Sequence, residues 1–150
     1  MTREEDVLAR TVYGEARGES DLGRLAVAYV ACNRAVIAAR YVLKYGRRHP
    51  LYGGGSVAEA CLAPWQFSCW NNTDANLKKL LLVDLESDAG APSLWAARTA
   101  INRTAPDPTN GADHYVTSMA PHDGMDWPPS WTASMKLVAS IGAHNFYFEG

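Results

Sequence analysis

Glu15 stands in a run whose apolar residues recur at helical spacing. Leu8 and Val12 are four apart and Glu15 follows Val12 by three, so all three share one face of a helix over residues 4–17. A carboxyl on a packed face loses solvation in its charged form, which favours the protonated acid. A general acid working near neutral pH requires that state. The same pattern suits a buried structural Glu paired with Arg17, Arg34 or a backbone donor, and spacing alone leaves both open. Glu19 lies four residues further on, beyond Gly18. It is expected at the start of the next helix, as a partner of the helix dipole. An acid and base pair made of Glu15 and Glu19 is the alternative, because two carboxyls flanking a bond are usual in glycoside cleavage.

A second group of residues suggests binding. Trp65, Phe67, Trp70, Tyr115, Trp127, Trp131, Phe146 and Tyr147 supply aromatic faces, and Gln66, Ser68, Asn71 and Asn110 lie among them or on a nearby turn. Aromatic faces cover the apolar faces of sugar rings while amides and hydroxyls bond their rims. Packing within a loop-rich domain accounts for the same composition. His114, His122 and His144 could ligate a metal with Asp113 or Asp123, but no metal-binding spacing is present and none is expected. Cys32, Cys61 and Cys69 are odd in number and lack zinc spacing, so they read as reduced, packed thiols. No Ser or Cys nucleophile has a recognisable context.

The elements that must position these groups follow from pattern and punctuation. Ser20 or Asp21 caps a second helix that runs to about Tyr41 and is apolar nearly all round, hence central and buried. Asn33 and Arg34 interrupt it. Residues 44–55 are turn-like, and Ser56 with Glu59 makes a capping-box pattern for a short helix that Pro64 stops. Asn72 or Thr73 caps a helix carrying Leu77 and Leu80–Leu82, and Pro92 suits the first turn of another, through Ile101. Asp107-Pro108-Thr109-Asn110-Gly111 is a strong turn signal. His114–Thr117 reads as a short strand, Met135–Ile141 fits strand and helix equally, and Asn145–Phe148 is extended. The expectation is a mainly α, α+β single domain over residues 1–150, with a small irregular β region in the C-terminal third.

With 150 residues, 47% hydrophobic and 20% charged, the chain suits one globular domain with a real core. A net charge of −2 argues against nucleic acid as the partner. The one basic cluster, Lys44, Arg47, Arg48 and His49, reads as a solvated loop, although it could touch an anionic polymer. No apolar run is expected to span a bilayer. The start, Met1-Thr2-Arg3-Glu4-Glu5-Asp6, is polar and acidic and lacks a secretory pattern, so synthesis in the cytoplasm is expected.

The run Ala9-Arg10-Thr11-Val12-Tyr13-Gly14-Glu15-Ala16-Arg17-Gly18-Glu19 resembles the signature of the spore-cortex-lytic cell wall hydrolases, a family that includes germination-specific lytic transglycosylases and related phage lysins. Ala26–Val30 with Asn33-Arg34 is similar to its second-helix pattern. Gln66-Phe67-Ser68, Asp107–Ala112 with Tyr115, and Ile141-Gly142 with His144, Phe146 and Tyr147 resemble its later blocks, in order along nearly the whole chain.

The resemblance implies a lysozyme-like, lytic-transglycosylase-type fold. It also implies cleavage of the β-1,4 bond from N-acetylmuramic acid to N-acetylglucosamine in peptidoglycan. It puts the catalytic acid on Glu15, with Glu19 as the alternative second carboxylate. Gln66, Phe67, Ser68, Trp70, Asn110, Tyr115, His144 and Tyr147 become the candidate substrate contacts. No cofactor is expected, the partner is the peptidoglycan glycan strand, and the chain is expected to be a monomer without membrane insertion. A phage or prophage endolysin, acting on the wall after release during host lysis, fits these expectations. Three readings stand beside it: a hydrolytic muramidase using Glu19 or Asp74, a wall-binding module without turnover, and a phage structural protein.

Overall fold

Thr2 opens the fold. Its hydroxyl accepts the Glu5 N–H while the Glu5 carboxylate takes the Thr2 N–H, a capping box that starts α1 (Arg3–Ala16). In the computed structural model, which describes residues 1–150, Leu8 and Val12 are fully buried on the face their spacing predicts. After a tight turn, Ser20 caps α2 (Asp21–Tyr45) by accepting the Gly23 N–H. Arg24 closes that turn by donating to the carbonyls of Arg17 and Glu19.

The central helix runs past Tyr41 to Tyr45. Nothing between those residues breaks a helix, and Gly46 ends it by taking the left-handed conformation (φ 69°). By length and composition α2 could cross a membrane, contrary to the expectation from the sequence. Its most apolar window is 67% buried inside the fold, packed among α1, α3 and α5, as a core helix of a globular domain would be.

Ser56 caps α3 (Val57–Leu62) through the Glu59 N–H. The Glu59 carboxylate accepts from Gly54 N–H (2.5 Å) and Arg48 (3.1 Å), clasping the preceding glycine turn. The next helix, α4 (Asn76–Leu82), starts later than the Asn72 or Thr73 cap predicted for it. Asp74 accounts for the shift: its carboxylate takes the Asn76 N–H at 2.8 Å. At the far end, Arg10 of α1 donates to the carbonyls of Leu80, Leu81 and Val83, which α4 leaves unpaired. Pro92 lies in the first turn of α5 (Ala91–Asn102), which packs on α1 and α2.

The remaining strands, β1 (His114–Thr117), β2 (Lys136–Ile141) and β3 (His144–Phe148), form an antiparallel sheet in the order β1-β3-β2. The ambiguous segment is therefore a strand. A bulge between Leu137 and Ala139 breaks its alternation, so Val138 and Ala139 both pack against the core while Leu137 is exposed. The whole is α+β, with five α-helices before the sheet.

Asn33 and Arg34 join the two parts. Asn33 donates to the Asp107 carboxylate and the Ala112 carbonyl, both at 2.9 Å. Asp107 also collects the Thr109 and Gly111 N–H groups, which folds the predicted turn. Arg34 is buried and donates to the carbonyls of Asp113 (2.7 Å) and Gln66 (3.3 Å). Its guanidinium lies over the Phe67 ring at 4.8 Å and the Tyr52 ring at 5.3 Å. One side chain thus ties α2 to the start of β1 and to the aromatic loop.

Candidate active site

Glu15 lies in the last turn of α1, half-buried, and lines an open cleft of about 310 Å³ with Gly14, Arg17, Gly18 and Asn76. Its Oε1 accepts the Cys69 N–H at 3.3 Å. That amide reaches α1 because residue 14 is glycine. A Cβ there would stand 2.7 Å from the Cys69 Cβ and 2.8 Å from the Leu80 Cδ2. Gly14→Ala would gain about 1 kcal/mol of helix propensity. Overpacking costs roughly 1–3 kcal/mol, so the substitution is expected to lower the melting temperature. An unchanged or raised melting temperature would show that the contact yields freely.

Tyr115 and the Gly142 turn close the other side. The Tyr115 hydroxyl faces Glu15, and burial, reinforced by the Glu15 charge, pushes its pKa well above the ordinary phenol value. Tyr115 therefore keeps its proton. Its ring meets His144 edge-on, with centroids 5.2 Å apart. His144 Nδ1 in turn pairs with Glu19 Oε1 at 3.0 Å, and the same oxygen accepts the Ala143 N–H at 3.2 Å. Ser20 caps α2 as expected, while Glu19, expected to serve that helix's dipole, instead holds the β2–β3 turn against the α1–α2 turn.

The aromatic loop supplies a second cleft, of about 400 Å³, lined by Trp65, Trp70, Asn71 and Asn72 among others. Trp70 is anchored by its indole N–H on Thr11 Oγ1 at 2.9 Å. Trp65 is 87% exposed and held at φ 68°, an unusual conformation for a bulky residue. Gln66 is half-buried with its amide on the Pro64 carbonyl, and Ser68 is exposed at the start of a 3-10 turn (Ser68–Trp70).

Two expected contacts are not available to a ligand in the Glu15 cleft. Phe67 is only 2% exposed and packs under Arg34 in the core. Tyr147 is buried against Trp131; strand alternation puts it, with its partner His114, on the sheet face opposite Tyr115, Phe146 and His144. Asn110 sits exposed at the tip of the Asp107 turn with φ 55°, where its side-chain type suits the left-handed backbone.

The structure also adds residues. Arg17 donates to Asn76 Oδ1 at 2.8 Å and to the Tyr13 carbonyl, with its guanidinium over the Tyr13 ring. Arg17 was visible in the sequence as a neighbour of Glu15; no local signal links either to Asn76. Trp65, Asn71 and Asn72 belonged to the polar-aromatic run, and the cleft they line singles them out.

Other reactive types are committed elsewhere. Burial pushes the Cys32 and Cys61 thiols up to about 12. Burial, then the Glu15 charge, raises Cys69 further. None supplies a thiolate. His114 pairs with Asp113 at 2.9 Å, and Asp113 also takes the N–H groups of Glu149 and Gly150. Burial alone would raise the Asp113 pKa; the His114 and backbone hydrogen bonds outweigh it and hold the carboxyl below the ordinary range. His122 is exposed, and no three His, Cys, Asp or Glu side chains converge.

Two solved structures share this architecture. The catalytic domain of the Bacillus cereus SleB protein superposes with a TM-score of 0.65 at 24% identity, covering 96% of this chain and 88% of that one. The catalytic domain of the germination-specific lytic transglycosylase SleB from Bacillus anthracis gives the same score and identity, covering 98% and 96%. At that identity the likeness speaks for the fold. No curated protein matches at a significant level. The family model described as Cell Wall Hydrolase matches residues 18–147, a span that includes Glu19 and begins just after Glu15. Since that span takes in most of the chain, the protein belongs to the cell wall hydrolase family.

Proposed function

We propose that this protein cleaves peptidoglycan glycan strands at the N-acetylmuramic acid–β-1,4–N-acetylglucosamine bond as a lytic transglycosylase, with Glu15 as its acid and base. Family membership supports the bacterial wall as substrate. The observation that supports the finer reading is that, of Glu15, Glu19 and Asp74, it is Glu15 that lines the cleft. Glu19 is engaged by Ala143 and His144, and Asp74 by the first turn of α4. A mechanism with one carboxyl suits that arrangement better than one with two.

Glu15 in its acid form donates its proton to the glycosidic oxygen. The bond from that oxygen to the muramic anomeric carbon breaks, the N-acetylglucosamine leaves with a free 4-hydroxyl, and positive charge develops at the anomeric carbon. The Glu15 carboxylate, with the Tyr115 hydroxyl and the Cys69 N–H directed at it, then takes the proton of the muramic C6 hydroxyl. O6 closes on the anomeric carbon, giving a 1,6-anhydro end and restoring the acid. The intramolecular hydroxyl has the proximity advantage over water. Trp65 and Trp70 offer faces for sugar rings, and Asn71, Asn72 and Asn76 offer amides for their rims.

Mass spectrometry of digested peptidoglycan tests the chemistry. Anhydro-muramic ends are the expected product. Reducing muramic ends would replace the proposal with hydrolysis, and intact glycan would overturn cleavage itself.

A further inference from the structure

A groove of about 530 Å³, larger than the Glu15 cleft, runs along α5. Trp95, Arg98 and Asn102 recur every three or four residues and so line it as one stripe, above a floor of Leu94 and Leu85. Trp95 is 46% exposed, although α5 buries its other face on α1 and α2. From Trp95 to Asn102 the stripe spans about 10 Å, which suits two linked sugar rings.

Charge narrows the occupant. Arg98 is paired through Nε with Glu5 at 2.6 Å, and Glu86 lies on the groove wall. A surface whose one cation is matched and exceeded by carboxylates repels a polyanion. An exposed indole flanked by an amide and a guanidinium fits an uncharged, hydroxyl- and amide-bearing sugar. Size agrees, because small-ligand sites commonly measure about 300–1,000 Å³.

The groove is distinct from the cleft. Glu5 precedes Glu15 by ten residues of α1, about 15 Å along the axis. We infer that the α5 groove is a second, non-catalytic site for N-acetylated glycan, which holds one wall strand while the Glu15 cleft works on another. The wall as the source of that glycan rests on the function proposed above; the binding chemistry does not. Tethering at two sites raises the effective concentration of strands at the cleft.

The test uses the full chain carrying Glu15→Gln, so that binding is read without turnover. Its ligands are a soluble β-1,4-linked N-acetylglucosamine tetramer and purified insoluble wall. Titration with the tetramer is expected to move the Trp95 indole resonance in a ¹⁵N NMR spectrum. Adding Trp95→Ala, or Asn102→Ala should the first fail to fold, is expected to weaken retention on wall by about tenfold, the effect of roughly 1.4 kcal/mol. An unmoved Trp95 resonance, or folded variants retained as well as their parent, would overturn the inference. Should the indole shift while the wild-type protein releases no wall fragments, the groove stands and the cleavage reading falls.

Discussion

Replacing Glu15 with Gln is expected to slow the clearing of cell-wall suspensions by on the order of 10²–10⁴-fold, the usual contribution of a positioned general acid. That loss corresponds to about 3–5 kcal/mol of barrier. The fold should survive, because the amide oxygen can still accept the Cys69 N–H and no volume is added at the end of α1. Circular dichroism and the melting temperature check the fold, and turbidity checks the rate. A folded Glu15→Gln protein that clears walls at the wild-type rate would sink the assignment. A large loss in Glu19→Gln, with Glu15→Gln fully active, would move the acid to the carboxyl now held by Ala143 and His144.

Arg34→Met is expected to produce the largest loss of stability. The replacement keeps much of the stem, so the core between Tyr52 and Phe67 stays filled. It removes the donors to the Asp113 and Gln66 carbonyls, and an unsatisfied buried acceptor costs roughly 1–3 kcal/mol. Together they give about 3 kcal/mol, or a melting temperature lower by roughly 6–12 °C for a domain of this size. Activity should fall too, because the same bonds hold the aromatic loop that carries Trp65 and Trp70. A shift under about 2 °C would mean that water replaces the guanidinium at little cost.

Much of the helical framework could be read in advance. Leu8, Val12 and Glu15 do share a face, Ser20 and Ser56 do cap their helices, and Pro92 does sit in a first turn. Each signal acts within a turn or two of backbone. The boundaries that failed depend on contacts from outside the segment. The start of α4 is displaced by Asp74, and its end is completed by an arginine from α1. In β2 the bulge at Val138 reverses the parity that alternation implied.

The site was legible to a similar depth. Glu15 was visible as a carboxyl on an apolar helix face, and it lines a cleft with Gly14, Arg17, Gly18 and Asn76. Phe67 and Tyr147 look as suitable for sugar stacking in the sequence as Trp65 and Trp70 do. Burial separates them, and burial depends on which strand or helix arrives from elsewhere.

Periodicity and capping are properties of neighbouring residues, and they suffice to place the Glu15 carboxyl, the helix it rides on and the glycine beside it. Long-range packing settles what meets that carboxyl. The Cys69 amide arrives from 54 residues away, and the turn that occupies Glu19 comes from about 125 away. Contacts at such separations exist because the core packs one way, with Arg34 and Gly14 permitting the approach, and no local propensity encodes them.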